Sequence, residues 1–320
     1  MLQSRVDVII VNWNAGHQLR ECLESFTGVA QDRVALTRIV VVDNGSTDGS
    51  LESLDALFGK LPLNVIRNTE NRGFAAACNQ GAAASTADFL LFLNPDTRLN
   101  AGCLQEPVAF FDEAGSQCVG ILGVQLVNAT GEVARNCARL PTAKAMVGRS
   151  LGLDRLLPSY FPPHFLFEWP HDKTRTVDQV MGAFCMIRRL LFVSLGGFDE
   201  RFFVYFEDLD LAIRARALGW TSVYLATAQA FHRGQGTTDA AKAKRLFYFC
   251  RSQILFAFKH YTRTAALAVA ATILLVEPIT RTVVALTTGR TFDVPDILRG
   301  FAMLWADLPN MLHARSETAC

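Results

Sequence analysis

The sequence predicts an α/β fold, with a mostly parallel sheet flanked by helices and a C-terminal helical extension. Three observations support that expectation. The first hundred residues alternate apolar, strand-like runs with helix-period segments, the rhythm of parallel strands joined by right-handed crossovers. The stretches VVDNGSTDGS (41–50), LLFLNPDT (90–97) and GGFDERFFVYFEDLDLAIRARALGW (196–220) each place carboxylates at the end of an apolar run. The carboxyl ends of parallel strands are where open α/β sheets bind ligands. From residue 241 onward the composition turns basic and aromatic.

In chain order, residues 6–11 read as a first strand ending in a loop at Asn12, and Leu19, Cys22, Leu23 and Phe26 give residues 17–26 a helical period. Residues 38–42 form an unbroken β-branched strand of the kind a parallel sheet buries on both faces. Polar turn residues 43–48 follow, then a helix starting near Asp48 or Ser50 and supported by Leu51, Leu54 and Leu57. Residues 63–67 are a third strand, 71–85 a loop running into a small-residue helix, and 89–93 a fourth strand. That strand should stop at Asn94–Pro95, because proline lacks an N–H and restricts the residue before it. Residues 139–178 hold five of the eleven prolines and read as a long loop or lid. Regular structure resumes over 177–188, with a short helix over 189–195. Glu207–Asp208 opens a helix with Leu211, Ala215 and Leu218 on one face and Gly219 as its stop.

Composition narrows the function classes. Half of the 320 residues are hydrophobic and the net charge is +1. That describes a globular chain and gives no support for nucleic-acid binding. No G-x-G-x-x-G follows the first strand and no P-loop motif occurs. The eight cysteines form no C-x-x-C pair and read as small buried side chains in a reducing compartment. The N-terminus reads as a strand and not as an export signal, so the active site is expected to face the cytoplasm. Residues 241–300 carry nine Lys/Arg against three acids, interleaved with Phe247, Tyr248, Phe249, Phe256, Phe258 and Tyr261. This pattern predicts a segment lying in a membrane interface. An ordinary helical subdomain is the competing reading. The apolar run 265–276 is too short to span a bilayer, and Glu277–Pro278 and Arg281 should interrupt any longer span.

VVDNGSTDGS, NRGFAAACNQG (71–81), NPDT and GGFDERFFVYFEDLDL, in this order and spacing, resemble the inverting family 2 glycosyltransferases of the GT-A fold, rhamnosyltransferase-like members among them. The resemblance covers residues 5–235. It implies a GT-A-type nucleotide-binding domain over 1–240 and a membrane-associating region over 241–320. The implied reaction moves a sugar, L-rhamnose in its most specific form, from a dTDP or UDP donor to a hydroxyl of a glycan or polyprenyl-linked glycan. The enzyme would be peripheral on the inner face of the cell membrane.

The resemblance also distributes roles. Asp43 would accept a hydrogen bond from the ring N–H of uracil or thymine, a task for a pure acceptor, with Asn12 in the same pocket. Asn94–Pro95–Asp96 stands where the family has D-x-D, one charge poorer. Asp96 would bind Mg²⁺ or Mn²⁺ between the donor phosphates, and His232 would join it. Asn94, Asn71, Arg72, Asn79, Gly182 and Arg233 would contact the donor, with Gly234 and Gly236 letting the backbone close over the diphosphate. Asp208 would be the general base that inversion requires, supported by Glu207 and Asp210. Turn formation at Asp43 and Asp96 and helix capping at Glu207–Asp208 are the structural alternatives. A sugar-1-phosphate nucleotidyltransferase and a non-catalytic sugar-nucleotide or membrane-binding protein are the functional ones.

Overall fold

The computed structural model describes residues 3–28, 33–57, 59–234 and 242–313. The chain opens with β1 (Ser4–Asn12), α1 (His17–Glu24), β2 (Val34–Asn44), β3 (Leu63–Asn68) and α2 (Phe74–Ala82). Then come β4 (Phe89–Leu93), β5 (Thr97–Leu99), α3 (Gln105–Asp112), β6 (Val119–Val127), α4 (Ala143–Ser150) and α5 (Leu153–Leu156). β7 (Arg175–Val177), β8 (Phe184–Arg188), α6 (Arg189–Ser194), α7 (Glu207–Ala217) and β9 (Thr221–His232) follow. Helices α8 (Lys242–His260), α9 (Arg263–Ala271), α10 (Glu277–Thr287) and α11 (Val294–His313) complete it.

Two compact units result. The first comprises residues 1–140, 165–203 and 207–237, the second 141–164, 204–206 and 238–320. The expected boundary after residue 240 leaves out residues 141–164, which cluster with the C-terminal helices. The proline-rich stretch is also not the unbroken loop expected. Pro141 stands just outside α4, and the Thr142 hydroxyl caps that helix by accepting the Ala145 N–H at 3.1 Å.

The first unit is a mixed sheet in the order β3-β2-β1-β4-β8-β6-β9, with β5 and β7 both paired to β9. Strands β3, β2, β1 and β4 are parallel neighbours. β8 runs antiparallel to β4 and β6, and β6 is parallel to β9. Strand order reverses between β1 and β4, which makes the crevice beyond their carboxyl ends the topological switch point. Alternate residues feed two cores. Val8, Ile10, Val41 and Leu91 pack with Leu19, Leu23 and Phe111 on one face. Ile9, Val11, Val40 and Phe92 pack with Cys78, Leu211 and Phe198 on the other.

The helix expected after Asp48 is a 3₁₀ segment, Glu52–Leu57. Leu51, Leu54 and Leu57 recur every third residue, the 3₁₀ repeat and not the α repeat. Of the seven cysteines described, six are buried and Cys118 is exposed. None is paired, and Cys320 lies outside the described residues.

In the second unit, residues 263–287 form one 25-residue helix long and apolar enough, by length and composition, to cross a membrane. The expected interruption at Glu277–Pro278 does not occur, because a π-turn, Thr272–Val276, joins α9 to α10. Pro278 has no N–H to give the Leu274 carbonyl. The Trp305 indole N–H donates to that carbonyl instead, at 3.2 Å.

Candidate active site

The carboxyl ends of β1 and β2 build the first part of the site. Their register pairs Asn12 with Asp43, and both are buried. The Asn12 amide N–H group lies 2.7 Å from Asp43 Oδ1, 2.8 Å from Ser50 Oγ and 3.0 Å from Ser46 Oγ. The Ser46 N–H donates to Asp43 Oδ2 at 3.1 Å. Each carboxylate oxygen has a second lone pair left to offer. Asn12 Oδ1 is buried with no partner, an acceptor facing the same pocket. The turn reading of Asp43 therefore holds alongside its capacity to bind a ligand.

The second part follows β4. β5 pairs antiparallel with β9 so that Thr97 opposes His232, and the Arg233 N–H donates to the Asp96 carbonyl at 3.1 Å. This register brings His232 Nε2 to 3.4 Å from Asp96 Oδ1, with both side chains 8 % exposed. β9 reaches that position because residues 226–228 loop out of its pairing with β6, between Leu225 and Gln229.

The third part is the start of α7. Glu207 is buried and its Oε2 lacks a partner. Burial, reinforced by Asp208 and then Asp210, raises the Glu207 carboxyl well above its ordinary value. Burial also raises Asp208, against the pull of hydrogen bonds from the Leu209 N–H, the Gln179 side chain and the Gly182 N–H. Both carboxyls are thus raised by burial, and each disfavours the charge of the other, so they titrate as a pair. Asp210 points elsewhere: it is fully buried and receives Arg214 Nε at 2.8 Å. Just before the acids, Tyr205 and Phe206 take φ of 68° and 71°, left-handed values that cost bulky residues energy and cluster at functional sites.

Residues 182–183 join the second and third parts. Gly182 gives its N–H to Asp208, and a Cβ added there would lie 3.5 Å from Asp208 Oδ2. The next carbonyl, Ala183 O, accepts the Asn94 N–H at 3.0 Å and the Thr97 hydroxyl at 3.3 Å, the residues flanking Pro95–Asp96. The segments that carry Asp96 and Asp208, 112 positions apart in sequence, thus both lie against the Gly182–Ala183 backbone.

Other predicted residues hold the frame. Asn71 Oδ1 accepts from the Gly73 N–H and from Asn44 Nδ2. The Asn79 amide donates to Phe198 O and Glu200 Oε1, and its Oδ1 accepts the Phe198 N–H, all at 2.9 Å. These bonds hold the 198–200 loop against α2. Arg72 and Arg233 are both exposed. Gly236 lies outside the described residues. Gln179 was not foreseen, since a glutamine between Asp178 and Val180 carries no local signal of a partner 29 positions further on.

Asp96 and His232 offer an oxygen and an imidazole nitrogen, a donor set that suits Mn²⁺ and, less well, Mg²⁺. Among the described residues no group of three or more His, Cys, Asp or Glu could hold a metal alone. Further ligands would have to come from substrate oxygens and water.

The sequence profile of Glycosyl transferase family 2 matches residues 7–167, and that of Glycosyl transferase family group 2 matches 89–312. The chain is a family 2 glycosyltransferase. This glycosyltransferase is 27 % identical over 266 residues to the N-acetylglucosaminyl-diphospho-decaprenol L-rhamnosyltransferase of Mycobacterium tuberculosis, covering 78 % of this chain and 82 % of that protein. It is 25 % identical over 215 residues to the low-salt glycan biosynthesis hexosyltransferase Agl10 of Haloferax volcanii, covering 66 % and 61 %. Among solved structures it resembles the Pyrobaculum calidifontis mannosyltransferase PcManGT, in complex with GDP-Man and Mn²⁺, at 17 % identity and TM-score 0.56, covering 96 % and 89 %. It also resembles S. aureus TarS 1–349 in complex with UDP-GlcNAc, at 17 % identity and TM-score 0.53, covering 92 % and 79 %. These likenesses establish the GT-A fold. Family membership sets aside the nucleotidyltransferase and non-catalytic alternatives.

Proposed function

We propose that this glycosyltransferase moves a hexose, L-rhamnose in the most specific form of the reading, from a dTDP or UDP donor to a hydroxyl of a polyprenyl-linked glycan, inverting the anomeric carbon. The reading includes attachment to the inner face of the cell membrane through residues 241–320. The single observation that supports it most is that the segments of Asp96 and Asp208 both lie against residues 182–183. The activity of the mycobacterial relative supports the sugar and the lipid-linked acceptor.

In this reading Asp43 and the unpartnered Asn12 Oδ1 accept from the nucleobase and its ribose. Asp96 and His232 would hold a divalent cation, which when bound would supply charge neutralisation for the leaving group. Asp208 takes the proton of the acceptor hydroxyl as its oxygen bonds to the anomeric carbon. The anomeric C–O bond to phosphate breaks, and the nucleoside diphosphate leaves with the electron pair. Burial suits Asp208 to this task by lifting its basicity toward the working pH.

The test is a panel of dTDP-, UDP- and GDP-sugars, screened for binding and for transfer with Mg²⁺ or Mn²⁺. Asp208→Asn should bind donor as wild type does and lose about 10²- to 10⁴-fold in transfer. Full transfer by that variant removes Asp208 from the role.

A further inference from the structure

The helix Arg263–Thr287 has its polarity inside out. Its charged pair faces inward: Glu277 is 7 % exposed, receives Arg281 Nε at 2.7 Å and accepts from Ser150 Oγ at 3.2 Å. Outward it shows Leu267, Ala271, Leu275, Ile279, Val283 and Leu286, all exposed; Leu275 and Ile279 are 68 % and 63 % exposed. Between Arg263 and Arg290 no exposed position is charged. A helix at a water boundary carries the opposite arrangement.

The stripe is straight for a structural reason. On a regular α-helix each i+4 step drifts about 40° around the axis, which would carry Ile279 and Val283 away from the face of Leu267. The wider π-turn Thr272–Val276 turns less per residue and takes back part of that drift. The turn that accommodates Pro278 therefore also aligns the apolar face.

Charge indicates what covers this face. Within residues 263–300, Arg263, Arg290 and Arg299 are exposed, whereas Glu277 is buried and Asp293 and Asp296 are half-buried. Arginines bracket the apolar stripe at both ends, and Phe292 and Trp305 are 69 % and 46 % exposed. Cations and amphipathic aromatics beside an apolar face match the headgroup and acyl layers of an anionic membrane. We infer that the α9–α10 face, from Leu267 to Leu286, is seated in the plane of an anionic lipid surface, the helix lying along the bilayer and not crossing it. This rests on the membrane-attachment part of the reading above and names the face that makes the contact.

The full-length protein is mixed with phosphatidylglycerol-containing vesicles and with neutral phosphatidylcholine vesicles, without donor or acceptor, so the outcome is independent of sugar transfer. Wild type should sediment with anionic vesicles. Leu275→Glu with Ile279→Glu should weaken that partitioning at least tenfold at unchanged circular dichroism. Should the glutamate pair fail to fold, Leu275→Ser with Ile279→Ser carries the same test. Unchanged partitioning overturns the inference, as does equal binding to neutral vesicles. Wild type that ignores vesicles but forms a dimer that the substitutions dissociate would make this face a contact between copies. Membrane-bound protein that resists an alkaline carbonate wash would make the helix a crossing one. Either result overturns the in-plane assignment.

Discussion

Three neighbouring acids at the start of α7 have three different fates, set by their surroundings. Asp210 is neutralised by Arg214, and removing one member of a pair buried this deeply costs about 3–5 kcal/mol; Asp210→Ala should lower the unfolding free energy by that order in urea titrations. Glu207 is raised far above its ordinary 4.5. A carboxyl raised on folding contributes stability that is complete below its unfolded value and is lost as pH climbs through the folded one. Glu207→Gln, which mimics the protonated form, should therefore gain in melting temperature over wild type as pH rises from 5 toward 9. A difference that shrinks with rising pH would mean the carboxyl is ionised in the fold. Asp208 acts as a base only when ionised, so kcat/KM should rise with pH through a midpoint above its ordinary 3.8, and this limb should persist in Glu207→Gln.

Between elements, close backbone contacts carry the site. The loop before α2 and the loop before α7 meet where the Phe74 N–H donates to Phe203 O at 2.6 Å. A Cβ on Gly73 would fall 2.5 Å from that oxygen, at a φ of +88° that side chains avoid. Gly73→Ala should cost about 1–3 kcal/mol of stability by denaturant titration; a variant as stable as wild type would mean that the approach is looser. Asn79 ties the same pair of loops from within α2, so NRGFAAACNQG and GGFDERFF act as one structural unit. The register of β5 on β9 does the same for Asp96 and His232.

At the scale of the molecule, the switch point of the first unit gathers the groups to which the proposed function gives base, diphosphate and acceptor hydroxyl. The cation reading predicts that Asp96→Ala and His232→Ala each abolish the Mn²⁺-dependent increment in donor binding, measured calorimetrically. Metal-independent binding at Asn12 and Asp43 should remain. An unchanged increment in both variants would move the cation elsewhere. In the second unit the helix Arg263–Thr287 has its own logic, since Glu277 pairs with Arg281 on its buried side while Leu267, Leu275 and Leu286 face out, the pattern of a surface built for an apolar neighbour.

Much was legible beforehand because it is local. Strands β1 to β4 announce themselves as buried β-branched and aromatic runs, Pro95 ends β4, and three acids within four residues mark the start of α7. Strands β5 and β6, the looped-out residues of β9, and the role of Gln179 depend on partners distant in sequence, which no local period reports. Leu51, Leu54 and Leu57 were misread because a three-residue repeat resembles a helix period until packing selects the tighter turn. Helix α9–α10 was expected to break at Pro278, and it continues because Trp305, 27 positions further on, donates to the carbonyl that the proline leaves unpaired. Sequence alone determined the family and the α/β class, since residue type and spacing carry those. Tertiary structure alone decided that the segments of Asp96 and Asp208 both lie against Gly182 and Ala183, and which face of the last long helices is left bare, because both follow from contacts between segments that the chain order keeps apart.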